Sequence, residues 1–226
     1  ASAGAFSTPR RLVLTVDGLS AQSRPVREER KGPRADAPIA AIEGFLRSTG
    51  LTRADLVERD GVYFATLSKK GRPTPEIIAE MVEAIVREFP WPKSMVSGVS
   101  RLRWVRPLRR ILCTFDGAVV PFSIEGIPSG DVTMGHRFMG SGQSLRARNF
   151  DGYAQALEAN YVVLDPDERK TRIVEAAKTL CFARNLDLVE DAGLLDEVAG
   201  LVEWPTPVLG DMDPVFLDLP PEVIRT

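Results

Sequence analysis

The chain has 226 residues, 44% hydrophobic and 27% charged, with 29 Lys and Arg against 31 Asp and Glu for a net charge of −2. That length builds one large domain or two small ones, and the charge balance excludes a general polyanion binder, so any nucleic-acid contact has to come from a local patch. One histidine, two distant cysteines and no Cys-x-x-Cys pair argue against a structural metal site. Cys113 and Cys181 read as buried free thiols of a reducing cytoplasm. No apolar run approaches the roughly 20 residues that span a bilayer, and the N-terminus lacks a signal-peptide pattern. A cytoplasmic protein without a membrane partner is expected. Both ends read as cut from a longer chain.

Arg10 to Leu19 alternates as a strand ending at Asp17-Gly18. Residues 20–37 mix charge with Gly32-Pro33 and read as an exposed loop or an extended arm. Pro38 to Thr49 is a helix with Ile39, Ile42, Phe45 and Leu46 on one face and Gly50 as its stop. Thr52 to Asp55 fits a capping box. Leu56 to Leu67 is a hairpin about Asp60-Gly61, a dipeptide suited to a type I′ turn. A helix follows with Thr74 as cap and Pro75 at its first position. Its stripe of Ile77, Ile78, Met81, Val82, Ile85, Val86 and Phe89 is expected to be core, and Pro90 and Pro92 end it.

Arg110 to Asp116 and Ala118 to Glu125 form a second predicted hairpin about Asp116-Gly117, with Pro121 placing its second strand at an edge or a bulge. Residues 126–130 have loop composition, and 141–149 are polar with Arg146 and Arg148. A short helix near Tyr153–Ala159 leads to a strand at Tyr161–Leu164. Asp165-Pro166-Asp167-Glu168 then starts a helix to about Ala183 that buries Ile173, Val174, Ala177, Leu180 and Cys181. Leu194 to Val202 is another helix, with Leu194, Leu195, Val198, Leu201 and Val202 inward. The order of elements has no βαβ alternation and no repeat. An α+β fold is expected, mainly antiparallel sheet built from hairpins and packed with several helices. Two regions are expected, 1–92 and 93–226.

The segment from Arg101 to Gly140 holds the most distinctive chemistry. Arg101, Arg103, Arg106, Arg109 and Arg110 fall within ten residues around Trp104. Guanidinium groups suit phosphate, and an indole suits stacking on a base or ribose. An ion-paired strand edge or a contact with an acidic subunit explains the same cluster equally well. His136 is the one imidazole, so any Ser-His-Asp or Cys-His mechanism has to use it, yet its neighbours offer no nucleophile elbow. There is no phosphate-binding glycine loop. The acidic residues are scattered or explained by helix capping, so no catalytic set and no metal set is read.

Six motifs occur in order: Thr8-Pro9-Arg10-Arg11-Leu12, Lys31-Gly32-Pro33, Lys93-Ser94-Met95, Trp104-Val105-Arg106-Pro107, Gly135-His136-Arg137-Phe138 and Leu201-Val202-Glu203-Trp204-Pro205. Together with Phe216 to Val223 they resemble the β subunit of bacterial heterotetrameric glycyl-tRNA synthetase. Val96-Ser97 depart from the Arg-Trp usual there after Lys-Ser-Met. The resemblance implies an N-terminal to middle fragment of a subunit that supports tRNA recognition and assembly. Glycine and ATP would react, with Mg, on a partner α subunit of an α2β2 ligase. It implies no catalytic residue and no cofactor in this chain itself. The implied partners are the α subunit and tRNA for glycine. Arg101, Arg103, Arg106, Arg109 and Arg110, then His136 and Arg137, are the candidate tRNA contacts. A scaffold with internally paired arginines, and a hydrolase built on His136, are the rival readings.

Overall fold

The structure, a computed structural model, describes residues 1–98 and 100–224. It is α+β, with small, mostly antiparallel strand pairs and several helices. The strands and helices, in chain order, are β1 (Ser2–Thr8), β2 (Arg11–Asp17), β3 (Val26–Arg34), α1 (Ile39–Thr49), β4 (Leu56–Arg59), β5 (Val62–Lys69), α2 (Thr74–Glu88), β6 (Ile111–Leu112), β7 (Thr114–Phe115), β8 (Ala118–Val119), β9 (Ser123–Ile124), β10 (Ile127–Gly130), β11 (Val132–Met134), β12 (Ser144–Arg146), α3 (Phe150–Glu158), α4 (Pro166–Ala183), α5 (Ala192–Leu201) and α6 (Pro221–Ile224). Among the described residues, no helix is long and apolar enough to cross a membrane. The chain divides into two compact units that interleave in sequence. One comprises 1–17, 110–119 and 129–226, the other 18–109 and 120–128.

In the first unit, β1 and β2 form a seven-pair antiparallel hairpin turning at Pro9-Arg10. The sequence pattern showed only its second strand, because Ser2–Thr8 is small and polar apart from Phe6. The ring of Phe6 stacks on Phe150 with centroids 5.1 Å apart. The core is Ala147, Tyr153, Leu157, Val162 and Leu164, with Phe6, Val13, Leu112 and Phe150 packed on it. The polar stretch 141–149 contains β12, which pairs with β11. Residues 161–164 form no strand: Val162, Val163 and Leu164 are buried and Tyr161 is exposed. Tyr161 takes a left-handed turn (φ 61°), and the following backbone bonds to a loop, the Val163 N–H donating to Glu203 O at 2.8 Å.

Helix α4 starts where its cap was expected, Asp165 Oδ1 accepting from the Asp167 N–H at 2.8 Å, and ends at Ala183 as predicted. Its apolar face is half-buried rather than core, and the residue it buries completely is Arg169. On α5, Ala199 is the buried residue, while Leu194 and Leu201, expected inward, are exposed.

In the second unit, β3, β5 and β4 make an antiparallel sheet with β5 central. The β4–β5 turn has positive φ at both Asp60 (51°) and Gly61 (70°), as a type I′ hairpin requires. Residues 26–34 were expected as a loop or arm and form the edge strand β3. With both faces largely exposed, β3 needs no apolar alternation. Backbone bonding to β5 and ion pairs such as Glu29–Arg59 (2.9 Å) and Glu28–Lys69 (3.4 Å) hold it. Its ladder shifts register between Lys31 and Arg34, around Gly32-Pro33, where proline has no donor to give. Gly32 lies against α1, where an added Cβ would come 2.5 Å from the Phe45 ring.

Helix α1 ends at Gly50 in the left-handed conformation (φ 67°), its N–H bonding Leu46 O. The Thr52–Asp55 capping box is present. The Thr74 side chain does not cap α2. Pro73 occupies that position, and the Thr74 hydroxyl donates to Ser20 O at 2.5 Å. No residue of the α2 stripe is fully buried, and Met81 (47%) and Ile85 (45%) are well exposed, against the expectation of a core helix.

The predicted hairpin at 110–125 is shorter than expected. The turn at Asp116-Gly117 has the expected positive φ values (49° and 77°), but only β7 and β8 pair across it. Pro121 lies in the break that follows. Ser123–Ile124 instead turns through Glu125-Gly126 (φ 50° and 80°) to pair with Ile127 and Pro128 of β10. Residues 127–130, expected as loop, are therefore strand. In the first unit, Ser129 and Gly130 run parallel to Ile111 and Leu112.

Candidate nucleic-acid interface

Residues 89–109 carry three prolines, at 90, 92 and 107, which deny the backbone donors that a regular element needs. One bridge organises the stretch. The Met95 N–H donates to Trp104 O at 2.8 Å, and the Trp104 N–H to Met95 O at 3.1 Å. Two of the sequence motifs, Lys93-Ser94-Met95 and Trp104 to Pro107, are thereby laid side by side.

Around this bridge the chain alternates. Leu102 is buried and Trp104 half-buried, while Arg101 and Arg103 point to solvent. The Trp104 ring packs edge-on against Phe89 (5.5 Å) and Trp91 (4.9 Å), and those two rings stack at 4.4 Å. Arg106 and Trp104 share the lining of a cavity of about 40 Å³ with Met95, Leu102 and Glu125.

Arg101, Arg103, Arg106 and Arg109 are all exposed, and none makes an ion pair with a carboxylate among the described residues. The Arg103 guanidinium donates only to Ser94 Oγ, at 3.3 Å. The backbone N–H of Arg101, rather than its side chain, reaches Glu125 Oε2 at 3.4 Å. Glu125 is itself engaged by Arg87 at 3.0 Å, and that bond, together with the Arg101 N–H, holds its carboxyl below the ordinary range. Two other arginines of the same unit are matched: Arg72 forks onto Glu80, and Arg87 bridges Glu83 and Glu125. Arg110 is likewise exposed and without an ion pair, and it opens the other unit immediately before β6.

His136 is used as an acceptor. Its Nδ1 receives the Phe138 and Met139 N–H groups at 3.2 and 3.1 Å, which assigns the ring proton to Nε2. Among the described residues no carboxylate or hydroxyl is bonded to the ring, so the hydrolase reading finds no partner set. Arg137 lies 5.4 Å over the Phe138 ring, which is 82% exposed.

The most constrained polar groups were not singled out from the sequence. Glu203, 4% exposed, accepts from Arg11 Nη1 and Thr8 Oγ1, both at 2.7 Å. Arg11 Nη2 continues to the carbonyls of Met134 (2.6 Å) and Gly135 (3.1 Å), and the His136 N–H reaches Asn160 O at 2.8 Å. Three motif runs thus meet at one ion pair.

Arg169, 1% exposed, donates to the carbonyls of Ser7, Val163, Leu164 and Ala199 at 2.8–2.9 Å. Burial works against its charge, and Asp165 and Glu203 supply compensating negative potential. Both arginines, Arg11 and Arg169, bind carbonyls from segments far apart in the chain. Arg172 reaches Glu158 and Glu168 and lies 5.1 Å over Trp204, the motif tryptophan. Among the described residues no three His, Cys, Asp or Glu side chains are grouped so as to hold a metal ion.

The model of the glycyl-tRNA synthetase beta subunit family matches residues 1–226. The chain is 72% identical over 221 residues to the glycine–tRNA ligase beta subunit of Phenylobacterium zucineum, covering 98% of this chain and 33% of that protein. It is 54% identical to the Paracoccus denitrificans protein of the same name and 55% identical to that of Cereibacter sphaeroides, covering all of this chain and 34% and 33% of those proteins. The chain therefore spans about a third of the length of these curated relatives. With its motifs converging in space and the family match running from end to end, the chain belongs to the glycyl-tRNA synthetase beta subunit family.

Proposed function

We propose that this chain serves, as part of a β subunit of a cytoplasmic glycine–tRNA ligase, in recognising tRNA for glycine and in assembly with the catalytic α subunit. ATP, Mg and glycine belong in this reading to the α subunit. The observation that carries it is the set of exposed arginines, Arg101, Arg103, Arg106 and Arg109, with no carboxylate partner. An unpaired guanidinium in a protein of net charge −2 is a donor held available for an anion. The rival scaffold reading requires these groups to be internally paired, and no such pair is present among the described residues.

A second reading, an assembly surface without direct tRNA contact, draws on the exposed Met81 and Ile85 of α2. One experiment separates the two. In the full α2β2 enzyme, Arg103→Ala with Arg106→Ala is expected to weaken tRNA binding and to flatten its salt dependence by about 1–2 in the log–log slope. Unchanged affinity and slope would sink the phosphate-contact reading. Loss of the tetramer would transfer these residues to the assembly surface.

A further inference from the structure

The arginines do not stand alone. Phe89, Trp91 and Trp104 form a three-ring cluster with neighbouring centroids 4.4–5.5 Å apart. Phe89 is exposed at its edge, and Trp91 and Trp104 are half-buried. Trp104 is flanked in sequence by Arg103 and shares its cavity wall with Arg106, while Arg103 is tied to Ser94, next to the Met95–Trp104 bridge. The Trp91 indole N–H is buried and has no acceptor among the described residues. Glu125, which lines the same cavity, is occupied by Arg87.

Resting on the phosphate-contact reading above, we infer that this cluster is a stacking platform for an unpaired nucleotide of the bound RNA, with Arg101, Arg103 and Arg106 engaging the flanking phosphates. Aromatic faces beside unpaired guanidiniums are the combination that binds single strands, because every base has a π-face and every linkage a charge. A paired, stacked duplex offers the arginines its phosphates and withholds its base faces.

Cavity size decides the mode. About 40 Å³ admits a few water molecules and is far too small to enclose a base. Recognition is therefore by surface stacking. It tolerates base identity and discriminates unpaired from paired nucleotides.

The test uses the full α2β2 enzyme and short RNAs of equal length, one single-stranded and one a closed hairpin duplex, read by fluorescence anisotropy. Wild-type enzyme is expected to prefer the single strand, and Trp104→Leu to lose roughly 10-fold in affinity for it with little change for the duplex. Changing the base at each position of the single strand is expected to alter affinity by less than that. Equal binding of the two RNAs, or an unchanged Trp104→Leu variant, overturns the inference.

Because Trp104 also packs on Phe89 and Trp91, a photocrosslink from a 4-thiouridine single strand to wild-type enzyme provides a readout independent of that variant's folding. Adducts are expected within residues 89–106, and adducts confined elsewhere overturn the platform. If Arg103→Ala with Arg106→Ala weakens tRNA binding while these results are negative, stacking fails and the phosphate reading stands. If the arginine variant is also silent, both fall.

Discussion

Arg169 shows what a buried guanidinium can do where the chain runs out of regular partners. Four carbonyls from β1, the 163–164 segment and α5 converge on it. Removing the side chain would orphan all four. Arg169→Ala is expected to destabilise the chain by at least about 3 kcal/mol, measured by urea unfolding, and Arg169→Lys should not restore it, because an ammonium lacks the planar fork. Glu203 is a second such point. Glu203→Gln would leave Arg11 buried without its counter-charge, at a cost of about 3 kcal/mol. Adding Arg11→Met should recover part of that loss, the signature of direct coupling in a double-mutant cycle.

Two weak acids of the same unit, the half-buried Cys113 and the buried Tyr153, set an alkaline limit. Burial raises the Cys113 thiol above its ordinary value of 9.0 and the Tyr153 hydroxyl above 10.0. The unfolded chain therefore releases these protons first, and stability present below pH 9 is lost as pH rises through the raised values. Urea midpoints measured from pH 8 to 11 should fall, and fall less in a Cys113→Ala, Tyr153→Phe variant.

At the scale of elements, close approaches explain why small residues stand where they do. A Cβ on Gly135 would lie 2.4 Å from Asn160 Cβ and 2.9 Å from its carbonyl oxygen. Gly135→Ala should therefore push apart the 135–140 turn and the end of α3, breaking the His136–Asn160 backbone bond. A loss of about 1–3 kcal/mol and a His136 ring signal changed in NMR are the expected results. Gly32 plays the same part between β3 and α1.

Helix α2 illustrates the opposite case. Its stripe of apolar residues has helical spacing, yet Met81, Ile85 and Phe89 remain exposed at 38% or more. The spacing of apolar residues says which face of a helix seeks cover, and not whether this stretch of chain supplies it.

For the whole molecule, the decisive quantity is local charge rather than net charge. A total of −2 gives RNA no long-range attraction. Four exposed arginines in residues 101–109, without an ion pair among the described residues, concentrate positive charge at one place. Replacing all four with alanine in the α2β2 enzyme should therefore reduce the salt slope of tRNA binding by at most about 4, while thermal stability changes little. A larger drop would mean that these residues also shape the surface on which other contacts depend.

By itself the sequence determined the α+β class, the type I′ turns at Asp60-Gly61 and Asp116-Gly117, and the span of α4. Each follows from chemistry within a few residues: positive φ at a Gly, a carboxylate beside free N–H groups, or a period of 3.6. It also determined the family, because the motifs are linear. The tertiary structure alone decided which polar groups are core and which are free. Arg11 and Arg169 read in the sequence like any other arginine, yet both donate to carbonyls distant along the chain, Arg169 fully buried and Arg11 largely so. The charged segment at 26–34 became a strand because β5 offered it a ladder, which no local pattern announces. The arginines at 101–109 were legible as a cluster but ambiguous between pairing and availability. The positions of the carboxylates bear on that ambiguity, since an ion pair depends on distance in space and leaves no mark in sequence spacing.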